Sequence, residues 1–132
     1  MPVHWLSKRS PRQLLTLDAV GAAMTAVTTA LVLPGLFGPL GLPAWFFRSF
    51  GAAALALCLF STVSALGSHH RASLTFVALG NLTYLVASFV VTATAWSTVS
   101  PLWLGSLAFE SAVMLGLVTI EWRAATGTEA PA

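Results

Sequence analysis

Four apolar stretches, parted by short turns of proline, glycine and serine, decide what this chain can become. An α-helix rises about 1.5 Å per residue, so ~20 apolar residues cross the ~30 Å of hydrocarbon in a bilayer. Of the 132 residues, 57% are hydrophobic and 8% are charged. A soluble domain carries roughly 25% charged residues. So little charge leaves too few polar groups to cover a surface in water, and lipid must face most of the outside.

The stretches predict helices at about 14–33, 44–66, 72–95 and 101–122. Ser10, Pro11 and Gln13 read as a capping box with proline at the first helical position. Pro34-Gly35 ends the first helix, because proline cannot continue the hydrogen-bond ladder. The connection PGLFGPLGLP is uncharged and expected in the membrane interface. Gly67-Ser68 stops the second helix, GSHHR and WSTVSP form the next turns, and Ser100-Pro101 repeats the cap-then-proline start. The expected fold is an all-α, antiparallel up-down-up-down bundle of four transmembrane helices over residues 1–123, with 124–132 a disordered cytoplasmic tail. Lys8, Arg9 and Arg12 before an apolar run resemble a signal peptide. Asp18 interrupts that run and no clean small-x-small site follows, so the segment is expected to stay as a signal anchor.

If the helices alternate, Lys8, Arg9, Arg12, Arg71 and Arg123 share one side and Arg48 lies on the other. The positive-inside rule then puts both termini in the cytoplasm. Tryptophan placement points the same way. Trp45, Trp96 and Trp103 fall at outer helix ends, Trp122 at an inner one and Trp5 near the inner surface, where an indole sits among headgroups.

Polar side chains inside the spans carry the remaining information, since a charge at membrane depth costs about 2.5–3.5 kcal/mol on insertion scales. Asp18 lies about one turn inside the first helix. Glu110 is roughly 16 Å from the inner end of the fourth helix at 1.5 Å per residue. A bare carboxylate there must be neutral, paired or hydrated. Helical spacing puts Asp18, Thr25 and Thr29 on one face, and Asn81, Tyr84, Ser88 and Thr92 on another. Cys58, Ser61, Thr62 and Ala65 form a third stripe, Glu110 and Glu121 a fourth. These stripes are expected to face inward, because lipid offers no hydrogen bonds. Matching depths predict one cluster of Asp18, Asn81, Tyr84 and Glu110, in which Asn81 and Tyr84 hold Glu110. Two ridges of small residues, Ala22-Ala26-Ala30 and Ala108-Ala112-Gly116, allow close helix approach within the chain or between chains.

Other chemistries find no footing. Cys58 is the lone cysteine, and His69 and His70 are neighbours on one turn that point apart, so neither a metal nor a haem is expected. No nucleophile set, phosphate loop or basic patch stands out, which argues against an enzyme, a cofactor or a nucleic-acid partner.

The order of the motifs TLDAVGA, LFGPLGLP, LGNLTY, AFES and TIEWR resembles a group of small bacterial four-helix integral membrane proteins with no assigned activity. Asp18 and Gly21 match that group's acid–x–Gly start, Asn81, Leu82 and Tyr84 its Asn-Leu-x-Tyr element, and Glu110 and Glu121 its fourth-helix acids. The resemblance implies a multi-pass protein of the bacterial cytoplasmic membrane. The expected function is non-catalytic: an accessory or structural subunit working through helix or lipid contacts, with other membrane subunits or a homo-oligomer as partners. The alternative is a small proton-coupled transporter using Asp18 and Glu110 in an oligomer.

Overall fold

The computed structural model describes residues 9–28, 35 and 40–127. These hold four helices: α1 (Pro11–Val27), α2 (Ala44–Leu66), α3 (His70–Thr94) and α4 (Pro101–Thr126). The helices α2, α3 and α4 are each long and apolar enough to cross a membrane. Residues 29–33 of the expected first span lie outside the described residues, as do Trp5, Lys8 and the tail from residue 128.

Local chemistry explains where the helices begin. Ser10 Oγ accepts from the Gln13 backbone N–H at 3.3 Å, and the Ser10 N–H donates to Gln13 Oε1 at 3.0 Å. Two free amides of the first turn are thereby satisfied reciprocally. Ser100 caps α4 in the same way, accepting from the Trp103 N–H at 3.3 Å, with Pro101 following it. At its far end α4 runs past the expected Trp122 to Thr126. Ala124, expected in the loose tail, is instead buried among Leu14, Leu74 and Ile120, and that packing carries the extra turn. Gly127 then closes the helix with φ 69°, in the left-handed region that glycine enters without strain. A side chain on Gly127 would meet the Arg71 guanidinium. Arg71 therefore sits at the negative end of the α4 dipole.

α1 packs chiefly on α2 and α3 chiefly on α4, while α2 and α4 touch least. Two apolar clusters tie the pairs together. One joins the start of α1 (Leu14, Leu15), the end of α2 (Ala65), the start of α3 (Leu74, Val77) and the end of α4 (Ile120, Ala124). The other joins Leu40, Leu42, Phe46 and Phe47 to Trp103 and Leu107, with Val91, Ala95 and Val99 against it. In this second cluster the segment before α2 is sewn to the α3–α4 turn. The Ser100 N–H donates to Leu40 O at 3.1 Å, and Thr98 Oγ1 donates to Gly41 O at 2.9 Å. Gly41, at φ 74°, allows that approach, since a Cβ there would run into the Thr98 carbonyl.

The outside is apolar along the helices, with Met24, Val63, Leu66, Phe76, Val86 and Phe109 all exposed. Hydroxyls on this surface look after themselves. Thr62, Thr83 and Thr119 each donate at 2.8 Å to the carbonyl four residues back. Such bonds need no partner from outside the helix. Thr62 is thus exposed and not turned inward as its stripe suggested, while Ser61 and Ala65 are buried. Trp45, Trp96 and Trp122 are exposed, but Trp103 is buried. Instead of reaching for headgroups, Trp103 stands edge-on to Phe46 and Phe47, and its Nε1–H donates to Thr92 Oγ1 at 2.8 Å.

Candidate functional site, a buried polar clasp beside a cavity

Each helix sends one polar side chain to a common point. Asp18 of α1 accepts from Ser61 Oγ of α2 at 2.7 Å through Oδ2, and from Asn81 Nδ2 of α3 at 3.0 Å through Oδ1. The same Asn81 amide reaches Glu121 Oε2 of α4 at 3.4 Å. All four residues are buried, Ser61 and Glu121 completely. No lysine, arginine or histidine forms an ion pair with either carboxyl among the described residues. Glu121 Oε1 is sealed from solvent with no hydrogen-bond partner. Two acids therefore lean on one amide donor and one hydroxyl.

Tyr84 and Glu110 form a second, separate contact further along α3 and α4. The Tyr84 hydroxyl donates to Glu110 Oε1 at 2.8 Å. Its ring leans on Phe50 of α2, with centroids 5.0 Å apart. Ser88 and Thr92, on the same face of α3, bond back to the carbonyls of Tyr84 and Ser88. This keeps the hydroxyl row satisfied inside the protein.

The four residues expected to form one cluster are thus divided. Asp18 meets Asn81, and Tyr84 meets Glu110, but no hydrogen bond joins the pairs. Asn81, expected on Glu110, is drawn instead to Asp18 and Glu121. The reason is height: Asn81 and Tyr84 share a face of α3 but stand three residues, about 4.5 Å, apart along it. Ser61 and Glu121 are the members that spacing alone did not assign to the cluster. Each stood in a polar stripe, but only packing reveals which stripes meet at one level.

What the two pairs share is a cavity of about 440 Å³, lined by Asp18, Asn81, Tyr84 and Glu110 on its polar side. Glu110 also borders a neighbouring space of about 430 Å³ beside Phe46, Phe47 and Trp103. Of the small-residue ridges, Ala22 and Ala26 are buried within the chain, and Ala30 lies outside the described residues. Ala108 and Ala112 are exposed, Gly116 is half-buried, and a Cβ added to Gly116 would meet nothing within 4 Å. No group of three or more His, Cys, Asp or Glu side chains able to hold a metal occurs among the described residues. Comparison with protein-family models, with curated proteins and with solved structures finds no match.

Proposed function

We propose that this chain is a non-catalytic, multi-pass membrane protein that serves as an accessory or structural subunit through helix and lipid contacts. The observation that carries the reading is the clasp of Asp18, Ser61, Asn81 and Glu121, one residue per helix, within an apolar exterior. Its two acids are buried and spent on holding helices together. The helices alternate in direction, up-down-up-down, a reading supported by the apolar cluster that joins successive starts and ends. Arg71 lies against the end of α4, whose last turn carries Arg123, so positive charge gathers at that end. That end faces the cytoplasm under the positive-inside rule. The resemblance of the helix motifs supports a bacterial cytoplasmic membrane. A reporter active only outside the cytoplasm should be silent when fused after Ala132 and active when fused between Pro34 and Pro43. The reverse pattern would invert the orientation.

The exposed Ala108–Ala112 ridge supports a contact with another chain, because small residues let helices approach closely and the described residues leave it uncovered. A photo-crosslinking residue at Ala112 should give a defined protein adduct in native membranes, a second copy or another subunit. The same probe at exposed Val86 should give only lipid adducts. Identical products at both positions would remove the subunit reading.

A second reading, a proton-coupled carrier in an oligomer, is favoured by Glu110 alone, which borders both spaces. Asp18 gives it less support, with both oxygens already bonded. Proton-coupled flux in reconstituted vesicles, abolished by Glu110→Gln, would establish it.

A further inference from the structure

We propose that the cavity between α1 and α4 is a binding site for a lipophilic amine, taken from the membrane with its ammonium group on Glu110. A volume of about 440 Å³ suits a small molecule, such sites spanning roughly 300–1,000 Å³. Its walls are apolar, built from Ala22, Ala54, Leu57 and Met114. Its charged groups are two carboxyls, Asp18 and Glu110, and no basic side chain lines it. Asp18 has both oxygens engaged by Ser61 and Asn81. Among the described residues, Glu110 has only Oε1 engaged, by Tyr84, and no hydrogen bond reaches its Oε2. The cavity thus presents, among the described residues, one carboxyl oxygen that no donor holds, in a largely apolar recess.

The mouth decides how an occupant enters. Leu17 on one lip is 39% exposed, and Phe109 and Val113 on the other are 75% and 57% exposed. These side chains lie on the apolar outer surface, so the opening faces hydrocarbon and not water. An amine with an alkyl or aromatic body partitions there, and its N–H groups meet Glu110 Oε2. A plain acyl chain, or an apolar helix of a second copy, would fill the walls but leave that oxygen unbonded. The amine satisfies both. Binding requires no transport, so the scaffold reading stands or falls separately.

The test uses the full chain in an uncharged detergent, with radiolabelled dodecylamine in equilibrium dialysis and a detergent-only blank. Wild type should bind saturably at one site, and dodecanol should not compete. Glu110→Gln, checked for unchanged helicity, should weaken binding by about tenfold or more. Gly21 lines the cavity, and a Cβ there meets nothing within 4 Å. Gly21→Phe should therefore block the recess without disturbing the backbone and abolish binding with Glu110 intact. Competition by dodecanol as strong as by the amine, unchanged binding in Gly21→Phe or in a folded Glu110→Gln, or no saturable uptake would each overturn the proposal.

Discussion

Replacing Asn81 with leucine should cost the fold about 3 kcal/mol, the larger share coming from what it leaves behind. The Asn81 amide is the donor that Asp18 and Glu121 share, and both acids are buried. Removing it leaves the Asp18 Oδ1 and the Glu121 carboxyl with little but each other to bond to. A hydrogen bond between membrane helices averages only about 0.6 kcal/mol, because the separated helices also find partners. Here two acceptors lose their donor at once, and neither can turn to water. Ser61→Ala removes one hydroxyl donor from Asp18 and should cost about 1 kcal/mol. Adding Glu121→Met to Asn81→Leu should recover part of the loss, since one stranded acid disappears with it. Denaturation of the purified variants in mixed micelles, followed by helicity, measures the order Asn81→Leu, then the double variant, then Ser61→Ala. A loss for Asn81→Leu no larger than for Ser61→Ala would show that the shared amide is not the centre of the clasp.

Trp103→Ala should cost a similar amount, about 3 kcal/mol, for a different reason. Trp103 fills the far end of the core, edge-on to Phe46 at 5.6 Å and to Phe47 at 5.8 Å. Truncation leaves a void that two aromatic rings and the Gly41 turn cannot close without moving. Trp103→Phe keeps the rings in contact and loses only the indole N–H on Thr92, about 1 kcal/mol. If Trp103 lay among headgroups, as its position at a helix start suggests, both changes would cost the same small amount. Thermal unfolding of the two variants separates these outcomes.

Trp103 also illustrates how far the sequence reaches. Helix starts were legible because they are local: Ser10, Pro11 and Gln13 close a capping box within four residues. The span of α2 was equally legible, bounded by Pro43 before it and Gly67 after it. That Asp18 and Asn81 face inward followed from cost alone, since an acid and an amide inside a membrane must find partners. Which partners they find did not follow. Glu121 sits on the same stripe as Glu110, yet α4 brings it level with Asp18, and that depends on how α1 and α4 are offset. Offsets are set by packing at both ends, by Leu74 and Ile120 at one and by Phe46 and Trp103 at the other. Trp103 itself reads as interfacial in sequence because it follows a proline turn. Its burial depends on Phe46 and Phe47, more than fifty residues away in the chain. Thr62 marks the opposite limit, where a hydroxyl expected inside is satisfied by its own helix and can face lipid.

The central claim is that four helices are fastened by side chains which meet only when all of them are in place. Asp18 and Asn81 are the pair on which it turns, sixty-three residues apart and 3.0 Å from each other. A double-mutant cycle on Asp18→Ala and Asn81→Ala, read by unfolding in mixed micelles, measures their interaction directly. A coupling of about 1 kcal/mol or more is the expected result. Losses that add within about 0.3 kcal/mol would mean that the two residues act independently, and would contradict the clasp.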